Sequence, residues 1–195
     1  MMSRRVAALL CFGWLVPSAA HATIVIAMPE AELVRAADAI FVGTVLEVAA
    51  HLDEGGRIMT QAHIQVTRAV RGVKRNAVVT LEYPGGRLAN GLAAFVDGTP
   101  KLAVGDRVFG FAERHAATLR PLGLRYGVLR VHGDGRGDEF VTRDTDGLVL
   151  VDRTGKPQSE GITQVRGVAL EVLVKRVESH LRALGVVPGD DGVAR

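Results

Sequence analysis

The hydroxyl and imidazole side chains that could catalyse a reaction are few in this chain and widely separated. A serine hydrolase holds its nucleophile in a Gly-x-Ser-x-Gly turn, and neither Ser159 nor Ser179 lies in one. A zinc site needs several histidine or carboxylate ligands that converge, and no His-Glu-x-x-His motif is present. Four of the six histidines, His51, His63, His115 and His132, are dispersed along the middle of the chain. The sequence therefore predicts no catalytic residue, no metal ligand and no cofactor.

Two groups of acidic residues adjoin glycines and are the nearest approach to a calcium site. The first comprises Asp134, Asp138 and Glu139, and the second comprises Asp144 and Asp146. Neither group has the spacing of an EF-hand loop. Aspartate next to glycine is typical of tight turns, because its side chain accepts hydrogen bonds from the backbone two residues ahead. We therefore interpret both groups as turns.

Two short motifs have familiar spellings but are better explained by structure. Arg136-Gly137-Asp138 is the tripeptide that integrins recognise, although a match of three residues is expected by chance. Pro84-Gly85-Gly86 is rich in glycine, but it lacks the lysine and the helix start of a phosphate-binding loop. Both motifs are typical of turns.

The first 22 residues have the pattern of a secretion signal. Arg4 and Arg5 precede an apolar run from Val6 to Val16, and the small residues of Ala20-His21-Ala22 follow. This pattern predicts a Sec-type signal peptide that is cleaved after Ala22, and a periplasmic or secreted protein. The apolar run is shorter than the roughly 20 residues that cross a bilayer, so we expect no membrane span.

Composition narrows the classes of partner. The only cysteine, Cys11, lies within the signal, so the exported chain has neither a disulfide nor a thiol nucleophile. The chain has 24 basic and 21 acidic side chains, and the loss of Arg4 and Arg5 brings the balance closer to neutral. The basic residues are scattered without interleaved aromatic residues, which a single-strand binding surface would require. Nucleic acid is therefore not an expected partner.

Hydrophobic periodicity predicts a mainly β protein flanked by two helices. The short helix begins at Pro29 and runs to about Ala37, and an amphipathic helix runs from Leu170 to Leu184 with Gly185 as its C-cap. Gly43 marks a bend or bulge in the first long strand. The five principal strands are predicted at 40–49, 57–70, 77–83, 106–113 and 124–132, with a long irregular excursion at 87–105 and an extra hairpin formed by 139–143 and 148–152.

These elements predict an OB-like five-stranded barrel with an extra hairpin, a short N-terminal helix and a C-terminal amphipathic helix. We divide the chain into a signal peptide at 1–22, an OB-like β-barrel domain at 23–160, and a final region at 161–195. That region comprises the helix packed on the barrel and a short flexible tail.

Several segments carry a family resemblance that covers roughly residues 31–141. They are Leu33-Val34, 37–45, 66–72, Pro84-Gly85-Gly86, Gly98-Thr99-Pro100 and 104–108. Together they resemble a group of uncharacterised secreted bacterial proteins whose barrel is similar to the OB fold of tissue inhibitors of metalloproteinases and netrin-like modules. The animal inhibitors chelate a protease zinc through the α-amino and carbonyl groups of an N-terminal cysteine, and a disulfide frame holds them.

The resemblance implies a protein partner, with an extracytoplasmic metalloprotease as one candidate. This chain departs from the inhibitors because its predicted terminus is Thr23 and it has no disulfides. Thr23 and Ile24 remain possible partner-binding residues, since an amino terminus and its neighbouring carbonyl can still chelate. The apolar run of Ile24, Val25 and Ile26 instead favours a buried strand.

The sequence thus predicts an exported, non-enzymatic binding module, a monomer that binds a protein, with association with a protease or inhibition of one as a candidate role. Two alternatives remain open: an enzyme whose acid and histidine site is assembled only in the fold, and an envelope structural protein. His63 grouped with carboxylates would favour the enzyme. An exposed apolar or aromatic patch would favour binding.

We expect the exported chain to begin at Thr23, because Ala20 and Ala22 occupy the small-residue positions that signal peptidase recognises. Intact-mass measurement of the exported product checks the cleavage position and the loss of Cys11. A product that retains Cys11, with or without a lipid, contradicts the signal-peptide interpretation.

Overall fold

β-Strands account for much of the chain in the computed structural model, which describes residues 23–146, 148–158 and 166–189. The predicted signal peptide and the end of the predicted tail lie outside these residues. The two helices are α1 (Glu30–Ala36) and α2 (Leu170–Ala183). The strands are β1 (Thr23–Ile26), β2 (Ala39–Leu52), β3 (Ile58–Arg71), β4 (Val78–Pro84), β5 (Gly86–Arg87), β6 (Ala93–Ala94), β7 (Arg107–His115), β8 (Thr118–Pro121), β9 (Val128–Gly133), β10 (Glu139–Arg143), β11 (Leu148–Val151) and β12 (Arg166–Ala169).

The largest sheet curls back on itself. Its eight strands have the order β12-β10-β9-β7-β2-β3-β4-β8, and β8 also pairs with β7. The pairing of β8 with β4 is parallel, at Leu81 and Leu119, whereas its pairing with β7 is antiparallel. Two small sheets accompany the large one, a parallel pair of β1 and β11 and an antiparallel pair of β5 and β6. The prediction of a mainly β chain with two flanking helices is confirmed.

Two details of the predicted strands are wrong. The predicted fifth strand begins at Val128 and not at Leu124, because Leu124–Gly127 forms a 3-10 helix. Gly123, just before this helix, and Leu124, its first residue, both have positive φ. The predicted hairpin of 139–143 and 148–152 does not form, since β10 pairs with β9 and β12 while β11 pairs with β1. The sheet also contains a strand that we did not predict, β8, which pairs with both β4 and β7. Its four residues end in a proline and show little hydrophobic periodicity.

The core consists of two apolar clusters, and β2 contributes to both. Ile40 and Val42 belong to a cluster that includes the buried side chains of α1 and α2. Phe41 and Val45 belong to a second cluster with Ile64 and other side chains of β3, β4, β7 and β8. Successive side chains of a strand point to opposite faces, so β2 separates the clusters. Both faces of β2 therefore pack against apolar side chains.

Helix α2 covers the first cluster with the predicted apolar stripe. Its buried side chains are Leu170, Leu173, Val174, Val177 and Leu181. Arg68 on β3 pairs with Glu171 and Glu178 at the edge of this contact. Gly185 has a φ of 74° just after the helix, the left-handed conformation typical of a helix C-cap. No helix in the described part of the chain is long and apolar enough to cross a membrane.

Gly43 stands where β2 shifts register against β3, between Val42 and Gly43. A Cβ atom at this position would lie 2.5 Å from Ile64 Cγ2 and 2.7 Å from the carbonyl oxygen of Gln65. The second contact is with backbone, so it cannot be relieved by a change of rotamer. A register shift is thus present at Gly43, although the extra residue, Thr67, lies on β3 and not on β2, and close approach of β3 explains the glycine.

We expect Gly43→Val to destabilise the fold by about 1–3 kcal/mol, because the new side chain overlaps a packed strand. Urea unfolding measures the change. Thr44→Val is the matched control, since it adds a β-branched apolar residue at the next position of β2 without filling that space. A Gly43 variant as stable as the control would show that β3 can move away from this position.

Candidate functional site

The excursion between β4 and β7, residues 85–106, is attached to the sheet at defined points. Gly85 and Gly86 have φ values of 88° and 128°, and Thr60 Oγ1 donates a hydrogen bond of 2.6 Å to the Gly85 carbonyl. A Cβ atom on Gly86 would lie 2.3 Å from Thr60 Oγ1. Further along, the Arg125 N–H donates to the Gly98 carbonyl at 2.8 Å. These contacts fix where the excursion leaves β4 and where it passes the 3-10 helix.

Between these attachment points the excursion displays large apolar side chains to solvent. Phe95 is 87% exposed, Leu92 is 57% exposed and Val96 is 40% exposed. We call Leu92, Phe95 and Val96 the apolar strip. Single exposed apolar residues are common on protein surfaces, but a group that includes an aromatic residue is typical of an interaction surface.

Two open clefts adjoin the apolar strip. The first has a volume of about 720 Å³ and includes Thr60, Arg125 and Asp144 in its walls. The second has a volume of about 800 Å³ and includes Ile58, Met59 and Leu124. Both clefts are lined by Tyr83, Pro84, Ala94 and Val96. Their volumes fall within the range of small-molecule and side-chain binding sites.

An ion pair closes one wall of the first cleft. Arg125 is only 8% exposed, and its Nη1 lies 3.2 Å from Asp144 Oδ2. Burial alone would raise the pKa of Asp144, but hydrogen bonds from the Asp146 N–H and from Arg125 outweigh it and lower the pKa. Burial raises the pKa of Tyr83 to about 12, so its phenol is neutral at physiological pH. The cleft wall thus contains one compensated charge pair and one neutral hydroxyl.

A polar cluster surrounds Glu82, which lines the second cleft. Gln61 Nε2 donates to Glu82 Oε1 at 3.0 Å, and His51 Nε2 lies 3.5 Å from the same oxygen. Thr118 Oγ1 lies 3.5 Å from Glu82 Oε2 and also donates to the His115 carbonyl at 3.1 Å. Histidine and carboxylate therefore meet at His51 and Glu82. No local sequence pattern relates these two residues, because His51 lies on β2 and Glu82 on β4.

The histidine that we singled out for an enzymatic site has another partner. His63 Nδ1 lies 3.1 Å from Thr80 Oγ1 on the neighbouring strand. Among the described residues, no three histidine, cysteine, aspartate or glutamate side chains are grouped so that they could hold a metal ion. Of the two serines considered above, Ser179 lies within α2 and Ser159 falls outside the described residues.

The aspartates of both acidic groups form turns, as the sequence predicts, whereas Glu139 begins β10 and pairs with Arg107. Asp134 Oδ1 accepts hydrogen bonds from the N–H groups of Arg136 and Asp138, at 2.7 and 3.1 Å. Asp144 Oδ1 accepts one from the N–H of Asp146 at 3.1 Å. The Arg136-Gly137-Asp138 tripeptide is thus part of the turn that joins β9 to β10.

The possible partner-binding residues Thr23 and Ile24 lie on β1, which pairs in parallel with β11. Val25 is buried, whereas Ile24 is 68% exposed and Ile26 is also exposed. The expectation of a strand is confirmed, but only its central side chain is buried, because one face of β1 packs on the first apolar cluster. The opposite face of β1 leaves two isoleucines in solvent.

Known proteins provide no further guide to these surfaces. Comparison with protein-family models, curated proteins and solved structures gave no match. Any role for the apolar strip therefore rests on its geometry. One pattern in the sequence indicates the strip, since the segment 92–96 is apolar although it lies in a glycine-rich excursion.

We expect Asp144→Asn to destabilise the protein by about 1–3 kcal/mol at neutral pH, because it leaves the buried Arg125 guanidinium without its charged partner. The Asp144 carboxyl has a lowered pKa in the folded chain. Its contribution is therefore present above the unfolded value of 3.8 and is lost as pH falls through the folded value. Urea unfolding at several pH values measures both effects.

The matched control for that substitution is Asp146→Asn, at an exposed neighbour in the same turn. The Asp144 variant should lose less stability than the unmodified chain on acidification, because the titrating group has been removed. An identical loss in both proteins would mean that the pair with Arg125 does not contribute to acid sensitivity.

Proposed function

We propose that this chain is an exported, non-enzymatic binding module that recognises a protein through the apolar strip. The observation that carries the proposal is the exposure of Phe95, at 87%, beside Leu92 and Val96. Burial of a Phe, Leu or Val side chain stabilises a complex by about 1.5–3 kcal/mol. Aromatic residues also dominate the energetic centres of protein interfaces. The strip supplies such a centre without rearrangement of the core.

The second cleft would receive an apolar side chain from the partner. Ile58, Met59 and Leu124 line it, and Leu92 and Val96 of the strip form part of the same wall. Glu113 and Arg120 also line this cleft, so both signs of charge are available at its rim. An apolar centre with a polar rim is the usual anatomy of a protein interface.

The charges around the strip favour a protein partner over nucleic acid. Arg87 and Lys101 lie on the excursion, but Asp97 lies between them in sequence, and all three line the first cleft. Nucleic-acid interfaces instead have a continuous basic surface. Mixed charge beside an exposed aromatic residue is better matched to a folded protein surface.

The framework that displays the strip would be an OB-like five-stranded barrel. Strand β2 pairs with β3 and β7, and β8 pairs with β4 and β7, so the pairings of β2, β3, β4, β8 and β7 form a closed ring. Closure of a small sheet removes its free edges. Counted in chain order, β4 and β8 are the third and fifth strands of this ring, and they pair in parallel. This pairing supports the OB-like assignment and the resemblance described above.

The partner would be an extracytoplasmic protein, and a metalloprotease remains a candidate. Cleavage after Ala22 would place a free amine on Thr23, next to the exposed Ile24 of β1. Chelation of a protease zinc would use the Thr23 amine and carbonyl as neutral ligands. We also propose that the protein is a monomer. We propose that it is periplasmic or secreted because its first 22 residues have the pattern of a signal peptide.

The experiment compares the exported chain with two variants as bait for extracytoplasmic proteins. We expect Phe95→Ser to weaken capture by about 30-fold, the effect of removing an interface anchor worth about 2 kcal/mol. Val104→Ser is the matched control, because Val104 is also exposed on the excursion but is outside the apolar strip.

Capture that is equal for Phe95→Ser and the control would overturn the assignment of the strip. A captured metalloprotease would then be assayed with and without acetylation of the Thr23 amine. Inhibition that survives acetylation would exclude chelation by the terminus, and inhibition that is lost would support it.

A further inference from the structure

We propose that the Asn90-Gly91 peptide is a site of spontaneous modification, at which Asn90 converts to aspartate and isoaspartate through a cyclic succinimide. The peptide lies in the turn between β5 and β6, one residue before Leu92 of the apolar strip. The chemistry depends only on this turn. Its consequence for partner binding rests on the function proposed above.

The reaction needs no reagent except water. The backbone nitrogen of Gly91 attacks Cγ of Asn90, so that an N–Cγ bond forms and the Cγ–Nδ2 bond breaks. Ammonia leaves with the proton that the Gly91 nitrogen loses. Water then opens the ring at one of its two carbonyls, giving aspartate or an isoaspartate whose backbone passes through the former side chain.

Gly91 offers an unhindered nucleophile. Both Asn90 and Gly91 are exposed, and no atom outside the immediate chain neighbours lies within 4 Å of the position that a Cβ on Gly91 would occupy. Glycine itself has no side chain to obstruct the approach of its nitrogen to the neighbouring Cγ. No side chain therefore obstructs the approach of the Gly91 nitrogen to Cγ of Asn90.

The turn also positions the electrophile. The Leu92 N–H donates a hydrogen bond of 3.1 Å to Asn90 Oδ1. A donor on this oxygen draws electron density from the side-chain carbonyl and makes Cγ more electrophilic. The same bond keeps the side chain folded over the Gly91–Leu92 backbone instead of extended into solvent.

Opening of the turn is resisted by a few hydrogen bonds, among them those from the Leu88 N–H to the Leu92 carbonyl at 2.8 Å and from Arg87 Nη1 to the Gly91 carbonyl at 3.3 Å. The Gly91 N–H donates to the Leu88 carbonyl at 2.9 Å, so this bond must break before the nitrogen can attack. The ladder of β5 and β6 contains only two residue pairs, Gly86 with Ala94 and Arg87 with Ala93. Short, exposed ladders open at low free-energy cost.

Asn76 is the internal control, because it is the only other asparagine in the chain. It precedes Ala77, whose Cβ hinders attack by the backbone nitrogen. The Asn76 N–H donates to the Val66 carbonyl at 2.8 Å, and the Val66 N–H donates to the Ala77 carbonyl at 2.8 Å. These bonds to β3 hold the Asn76-Ala77 peptide on both sides.

Conversion would change the surface beside the strip. Asparagine is neutral, whereas both products carry a carboxylate that must be desolvated when the strip is covered. The isoaspartate product also adds a backbone carbon between Asn90 and Leu92, which shifts Leu92 relative to the β5–β6 ladder. The modification would therefore act as an irreversible timer that reduces partner binding as the protein ages.

The test is incubation of the exported chain in neutral buffer, followed by proteolytic peptide mapping with mass spectrometry. We expect the Asn90 peptide to gain the mass that corresponds to replacement of NH by O and to separate into aspartate and isoaspartate forms. The Asn76 peptide should remain unchanged over the same period. Persistence of Asn90 for as long as Asn76 would overturn the proposal, whatever the outcome of the Phe95 experiment.

Binding is measured on the same aged samples. Capture by the unmodified sequence should decline in step with conversion, Asn90→Asp should show reduced capture from the start, and Asn90→Gln should retain its capture after ageing. Conversion of Asn90 without any decline in capture would support the chemistry and overturn the timer. This outcome is distinguishable from failure of the proposed function, in which fresh protein and Phe95→Ser capture partners equally.

Discussion

Strand β2 sends alternate side chains into two separate apolar clusters, and each cluster must be covered. Ile40 and Val42 need cover on one face, while Phe41 and Val45 need it on the other. A strand whose two faces are both buried cannot belong to a flat sheet that has one face in solvent. The curling of the sheet encloses the second cluster, and the two helices with β1 and β11 cover the first.

Close approach of the strands follows from the same constraint. At Gly43 the β2 and β3 backbones approach so closely that a Cβ would meet the Gln65 carbonyl. A similar contact occurs at Gly110 on β7, where a Cβ would lie 2.9 Å from the ring of Phe41. Gly43 on β2 and Gly110 on β7 thus allow close packing of β2 against both of its neighbouring strands, and Gly110 admits the ring of Phe41 to the second cluster.

The elements that local sequence patterns specify were predictable, and those that depend on distant partners were not. The α2 stripe repeats at helical spacing and contains its own C-cap, so the sequence alone locates it. Strand β8 has four residues, and only its simultaneous pairing with β4 and β7 defines it as a strand. The pair of His51 and Glu82 was missed for the same reason, since no local pattern relates two residues that meet across β3.

In the excursion, the contacts that hold the backbone in place and the apolar side chains that are exposed to solvent belong to different residues. Thr60 and Arg125 donate hydrogen bonds to its backbone carbonyls at Gly85 and Gly98. Both donors lie outside the excursion, on β3 and on the 3-10 helix. The intervening residues form the short β5–β6 ladder and its turn, so their side chains can be apolar and exposed without opening either cluster of the core. An interaction surface built in this way can vary in sequence between its attachment points while β2 and its two clusters remain unchanged, because the attaching hydrogen bonds are made to the main-chain carbonyls of Gly85 and Gly98 and not to side chains of the strip.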